Sequence, residues 1–435
     1  MMQRLKVLLL GPFVRKSVVF QFGFVGSMLV QAGAGVVLAR MLGPEQFGRY
    51  AIIMSLAAIG SALLGAGAAD AMAPVLSRAR YSDDGRGLRD AMLFLGKFVS
   101  LTALGVALLA GILLPPLAGV LYGDAALGWY AAIVLLAAGI STLLFTPTQL
   151  VLQVFGHIRR LSLLTFTDQL MRQIFVVGLV VAGLGVLGAA VGHLVGVVLV
   201  ACIAGLFWRA LRRSGTLLPS CAAFLHERPK NGREHLRPTL WVLADRNLAM
   251  LYGAAPVAVA GIFLASTDVS YFKIALGWMT LALSVLSPVS TLLNTELARI
   301  QVQEPRRLRS QFIKVSLVAM GVSTFVTAIA ALVAQPVFTI LYGAVYAPAV
   351  SLVYWLIPFG ALFGLGVALG PMWRALNKVK ISIGINVVAL SIGIPLGMVA
   401  LAQWGMVGAV AMVTGWYTVS HGVSFTYLVR LLGKR

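Results

Sequence analysis

The chain has 435 residues, 60% of them hydrophobic and 11% charged, with a formal net charge of +21. A soluble globular domain cannot hide so much apolar surface, and long apolar stretches recur throughout, so the chain reads as a membrane protein. The positive charge does not indicate nucleic acid, because the basic residues form short clusters between apolar segments, the pattern of cytoplasmic loops beside anionic lipid.

In chain order, Arg4, Lys6, Arg15 and Lys16 surround a short apolar run broken by Gly11-Pro12. The run is too short to span and no small-residue cleavage site follows it, so it reads as an interfacial lead-in. Apolar segments then fall at 17–39, 50–72, 98–122, 126–155, 161–182, 185–208, 238–264, 273–295, 315–341, 348–373, 381–402 and 404–429. Barrel strands would be about ten residues long with alternating polarity. These segments are longer and continuous, and in lipid the backbone must bond to itself, so they predict twelve transmembrane helices. Pro288 and Pro358 predict kinks in the eighth and tenth.

With the N-terminus inside, all Lys and Arg except Arg40, Arg49, Lys273, Arg172 and Arg246 fall on the cytoplasmic side. That asymmetry supports both the span count and the orientation, with both termini cytoplasmic at the inner membrane. The longest connection, 209–237, is cytoplasmic, basic and proline-containing, and reads as a linker between lobes 1–208 and 238–435. The lobes repeat. Leu121-Tyr122-Gly123 recurs as Leu341-Tyr342-Gly343, and at the same offset Arg160 meets Lys380, Ser162 meets Ser382, Gly185 meets Gly405, and Gly188-Ala189 meets Gly408-Ala409. Six spans per lobe make the repeats parallel, with a cavity expected between them. Cys202, Cys221 and the five histidines form no disulfide framework or ligand cluster, so no metal and no cofactor are expected. His193 and His421, within spans, read as packed histidines.

Near the end of span one the chain reads Leu38-Ala39-Arg40-Met41-Leu42-Gly43-Pro44-Glu45-Gln46-Phe47-Gly48-Arg49-Tyr50. This resembles the signature of the polysaccharide transporter family, the Wzx-type flippases. Phe155-Gly156-His157 followed by Arg159-Arg160, then Asn377-Lys378 and Asn386, sit where that family commonly has such residues. The resemblance implies an all-α, MATE-like fold of two V-shaped six-helix lobes. It also implies the substrate class: an oligosaccharide on a polyprenyl diphosphate, flipped from the cytoplasmic to the periplasmic leaflet. Implied partners are that lipid, the membrane lipids and other polysaccharide assembly proteins. From the residues alone, Gly43-Pro44 makes a tight turn and Phe47 and Tyr50 suit the aromatic belt.

Ionisable groups inside spans each cost about 2.5–3.5 kcal/mol on insertion scales and so mark candidate function. On span five, Thr165, Asp168, Gln169 and Arg172 share one helical face. On span seven, Asp245, Arg246 and Asn247 follow one another, with Trp241 and Tyr252 on the Asp245 face. Both carboxylates lie about 12 Å from the cytoplasmic ends of their helices. Arg172 and Arg246 are the candidates for diphosphate binding, because arginine stays charged and grips phosphate oxygens in pairs. Asp168 and Asp245 would balance the arginines or carry a coupling proton; sodium coupling or none also remains open. The alternative is that Asp168–Arg172 is an i,i+4 pair that only makes insertion cheaper. Trp241 and Tyr252 would stack on sugar rings or simply pack. Gln21, Ser27 and Gln31 are further cavity-lining candidates on span one. Asp70, Glu296 and Arg299, near cytoplasmic span ends, read as snorkelling or capping groups. A multidrug antiporter on the same fold is the competing function. An enzyme is disfavoured, since the external connections are short and carry no nucleophile–base or paired-carboxylate set.

Overall fold

The computed structural model describes residues 12–213, 218–219 and 221–433. The N-terminal lead-in through Gly11, with Arg4 and Lys6, lies outside them, as does the side chain of Gln21. The described chain runs through α1 (Pro12–Ser61), α2 (Ala66–Tyr81), α3 (Gly85–Tyr122), α4 (Ala125–Val154), α5 (Ile158–Leu179), α6 (Gly185–Arg213) and α7 (Cys221–His226). It continues through α8 (Gly232–Phe263), α9 (Ser266–Leu283), α10 (Ser287–Gln303), α11 (Leu308–Leu332) and α12 (Ala334–Leu341). The last elements are α13 (Pro348–Trp355), α14 (Ile357–Gly366), α15 (Leu369–Ala375) and α16 (Val379–Gly433).

Eight helical stretches among the described residues are long and apolar enough to cross a membrane, and α13 with Ile357–Ala375 forms one more pass bent by 45°. Three stretches are too long for one crossing. Pro12–Ser61 has 50 residues, Ile158–Arg213 has 56 and Val379–Gly433 has 55. At 1.5 Å per residue each is at least about 75 Å long, more than twice the hydrocarbon thickness of about 30 Å. Each carries non-helical glycine backbone: Gly43 in the first, Gly183 and Gly185 in the second, Gly405 in the third. Counting those three as two passes each gives the twelve expected from sequence.

The turn after α5 shows the chemistry of such a reversal. A π-helical turn, Val180–Leu184, leads into Gly185 at φ 53°, ψ −138°, backbone that only glycine adopts readily. Beyond it α6 folds back on α5 so closely that a Cβ on Gly192 would lie 2.5 Å from the Val176 Cα, and one on Gly196 2.6 Å from the Arg172 Cα. Positions climb on one helix as they fall on the other, which defines an antiparallel hairpin. Gly405 takes φ 56°, ψ −128° at the equivalent place in α16, so the repeat extends to backbone conformation.

The kink expected at Pro358 occurs, a bend of 45° in the tenth pass, and a change of helix type marks the place expected for the other. A 3₁₀ turn at Ser284–Leu286 precedes Pro288, and α14 restarts with Pro358 in its first turn. The second pass differs from expectation: it is not one helix over 50–72 but breaks at 62–65 before α2 begins.

The chain packs into two compact units, Met1–Leu42 with Ile53–Leu251, and Gly43–Ile52 with Tyr252–Arg435. In the second unit Gly48 lies against α9, where a Cβ would meet the Ser266 carbonyl oxygen at 1.7 Å. The sequence signature thus serves backbone contact as well as a turn. In the first unit the linker is fastened to the start of α3. Arg89 makes a two-pronged bond to Glu227, with contacts of 3.1 and 2.6 Å. Asp90 accepts from the backbone amides of Lys230 and Asn231, just ahead of α8. This exposed arginine holds the Glu227 carboxyl below its ordinary range, the hydrogen bond being the main cause.

A candidate anion site on the membrane helices

The α5 face expected from sequence is present. Arg172 Nε donates to Asp168 Oδ1 at 2.8 Å, and an Arg172 terminal nitrogen donates to Ser141 Oγ on α4 at 2.8 Å. The two charged side chains are 19% and 14% exposed, so the pair is largely withdrawn from solvent. Ser141 fixes the far end of the guanidinium, and Asp168 the near end. The remaining N–H groups of the five that arginine carries are left for a further acceptor. His193, buried on α6, lies near enough to feel the Arg172 charge. Thr165 donates to the Leu161 carbonyl of its own helix at 2.9 Å, so its hydroxyl is already satisfied. Gln169 is half-buried one residue beyond Asp168.

The second arginine has a different partner from the one sequence suggested. Arg246 pairs with Asp70 of α2, and both side chains are 51% exposed. Asp70 is therefore an ion-pair partner rather than a helix cap. Two turns of α8 hold Trp241, which is 42% exposed, and half-buried Asp245 and Asn247. Gln31 is exposed on α1. Tyr252 falls in the second unit, where its ring meets Trp416 at 6.4 Å and Tyr417 at 5.5 Å. It is thereby built into an aromatic cluster of that unit.

Sequence reasoning missed Ser141 and the role of Asp70. A single serine in an apolar span carries no periodic signal, and Asp70 sits 176 positions from its partner. His193 was visible but unremarkable until the α5–α6 hairpin placed it beside Arg172. Among the described residues no group of three His, Cys, Asp or Glu side chains could hold a metal ion.

The first unit thus presents two guanidinium groups on membrane helices, each tied to a carboxylate that an incoming anion could replace. A profile of the family described as "Polysaccharide biosynthesis protein" matches residues 13–293. The chain belongs to that family. Among curated proteins none matches. Solved structures give the fold. A multidrug resistance MATE family transporter of the MOP superfamily, in its inward-facing conformation, is 17% identical with a TM-score of 0.75, covering 94% of this chain and 96% of that one. The lipid II flippase MurJ, in an inward closed conformation, is 15% identical with a TM-score of 0.70, covering 96% and 87%. A MOP superfamily transporter from Pyrococcus furiosus, described as having a binding pocket of reverse polarity, is 17% identical with a TM-score of 0.64, covering 97% and 96%. The chain is accordingly a multi-pass membrane protein of the polysaccharide biosynthesis family with the fold of MATE and MurJ transporters.

Proposed function

We propose that the protein flips a polyprenyl-diphosphate-linked oligosaccharide, such as a surface-polysaccharide repeat unit, from the cytoplasmic to the periplasmic leaflet. The observation that carries this reading is the pair of membrane-helix arginines, Arg172 and Arg246, each held by an exchangeable carboxylate. A diphosphate supplies acceptor oxygens in the spacing a guanidinium fork prefers. On binding, phosphate takes the place of Asp168 or Asp70, and the protein exchanges one charge-assisted bond for another. Ser141 keeps the Arg172 fork aimed during that exchange. The named activity of MurJ on a lipid-linked substrate supports the reading.

In this reading the lobes 1–208 and 238–435, joined by the connection 209–237, alternate access to the two sides of the inner membrane, with both termini cytoplasmic. The polyprenyl tail stays in lipid while the headgroup passes. The energy source is the substrate gradient or a coupled ion. The test is the sidedness of lipid-linked oligosaccharides in cells lacking the protein. Accumulation in the cytoplasmic leaflet, relieved by the wild type but not by Arg172→Gln or Arg246→Gln, is the expected result. A glycolipid pool unchanged by the deletion, with intact surface polysaccharide, sinks the proposal and favours a small-molecule antiporter.

A further inference from the structure

A third arginine of the membrane helices stands apart from the pairs above. Arg89, Arg172, Arg246, Arg299 and Arg307 each meet a carboxylate. Arg374, on α15 in the second unit, instead donates to the neutral Oδ1 of Asn294 on α10 at 2.7 Å. Among the described residues it has no carboxylate partner. The nearest acidic side chain along α10, Glu296, is taken by a two-pronged bond from Arg299, whose Nε lies 3.1 Å from Oε2. The positive charge of Arg374 is therefore left uncompensated at an exposed position.

The side chain is nevertheless aimed. Asn294 Nδ2 donates to the Ser290 carbonyl at 3.1 Å, which turns its Oδ1 toward Arg374. Trp373, buried and packed against Tyr427 with ring centroids 5.7 Å apart and planes tilted by 33°, fixes the rotation of α15. The guanidinium lies back along its own helix over Gly370, one turn earlier, where a Cβ would be in ordinary contact, 3.4 Å from an Arg374 terminal nitrogen. A guanidinium held at one N–H by a neutral acceptor, with its other donors open, is organised to receive an anion. In the first lobe the position equivalent to Arg374 is the buried Val154, and the guanidinium there comes from the neighbouring helix instead: Arg80 of α2 donates to the Val154 carbonyl and lies over the Phe155 ring, 4.8 Å from its centroid.

We propose that Arg374, oriented by Asn294, is a phosphate-binding residue at the cytoplasmic end of the tenth pass. Its ligand is the phosphate of an anionic lipid headgroup, either the diphosphate of the lipid-linked substrate or the phosphodiester of a resident phospholipid. The first source rests on the flippase reading above; the second does not.

The experiment titrates the purified full-length protein, in an uncharged detergent, with geranylgeranyl diphosphate and separately with phosphatidylglycerol, with phosphatidylcholine as the control. Arg374→Gln should weaken binding about tenfold, as expected for one charge-assisted bond. Asn294→Asp should act in the same direction by giving Arg374 an internal carboxylate, and Arg374→Lys should retain part of the affinity. An effect on the diphosphate alone identifies the substrate as the ligand. An effect on phosphatidylglycerol identifies a resident lipid. Unchanged titrations of both ligands in Arg374→Gln and Asn294→Asp overturn the proposal. Arg172→Gln and Arg246→Gln, run in parallel, keep the two readings distinct. Diphosphate binding lost in those variants but not in Arg374→Gln rejects Arg374 as a substrate contact. The converse rejects the first-unit site and leaves Arg374 standing.

Discussion

Replacing Asp168 and Arg172 singly and together separates a binding role from an insertion role. Each side chain is less than one-fifth exposed, and each neutralises the other across 2.8 Å. Asp168→Asn leaves a lone guanidinium on a membrane helix, and Arg172→Gln leaves a lone carboxylate. Removing one partner of a buried pair costs about 3–5 kcal/mol, and an unpaired charge on a spanning helix costs about 2.5–3.5 kcal/mol. Each single variant should therefore lose about 3 kcal/mol of stability, read as a lower melting temperature in detergent and reduced yield. The double variant leaves no orphan charge. Its loss should shrink to about 1 kcal/mol, the worth of the hydrogen bond that Ser141 accepts from Arg172. Transport should behave differently. If Arg172 grips phosphate, the double variant recovers stability yet fails to clear lipid-linked oligosaccharide from the cytoplasmic leaflet of a deletion strain. A double variant that is both stable and fully active would refute the argument, since the pair would then serve insertion alone.

Other expected outcomes follow from the same geometry. Gly196→Ala pushes a methyl group to 2.6 Å from the Arg172 Cα, so α5 and α6 must part by about 1 Å. Overpacking of this kind costs about 1–3 kcal/mol, and transport should fall further than stability because the guanidinium moves with α5. Asp70→Asn, at a pair half open to solvent, should change the melting temperature little, since such pairs are worth about 1 kcal/mol or less, yet it should strengthen diphosphate binding by freeing Arg246. Gly185→Ala and Gly405→Ala should each cost about 1–3 kcal/mol in thermal unfolding, because both positions demand the same positive-φ backbone. The Arg89–Glu227 clasp should weaken with acid. The Glu227 carboxyl is held low, so its contribution is complete above the ordinary glutamate value near 4.3 and fades as pH falls below it. Limited proteolysis of the linker should accordingly speed up in acid for the wild type, and Glu227→Gln should show that faster cleavage already at neutral pH.

How far the sequence could be read depended on which forces acted locally. The twelve passes were legible because each span must bury its own backbone hydrogen bonds, so length and hydropathy report it segment by segment. The repeat was legible for the same reason that Gly185 and Gly405 share φ and ψ: a tight reversal admits few residues, and glycine marks it twice. The Asp168–Arg172 pair was legible because i,i+4 spacing makes contact within one helix. Contacts made across helices were not. Asp70 meets Arg246, and Ser141 meets Arg172, only because α2 and α4 lie where packing puts them. The break at 62–65 and the place of Gly43–Ile52 in the second unit also depend on tertiary approach, with Gly48 against the Ser266 carbonyl as its visible cost.

The comparison of lobes adds a physical criterion for function that neither hydropathy nor family membership supplies. Positions that serve the fold should take similar residues in both repeats, because both must make the same reversal. Charges that serve a ligand need not repeat. The partners of Asp168 and Arg172 in the second lobe are Val388 and Ile392, each 56% exposed and apolar. Arg374 stands where the first lobe has Val154. A carboxylate or guanidinium on a membrane helix is costly wherever it occurs, and its absence from the equivalent helix shows that the hairpin folds without it. The departures from symmetry therefore point to the same groups as the side-chain geometry does: Arg172, paired with Asp168, in the first lobe and Arg374, held by Asn294, in the second.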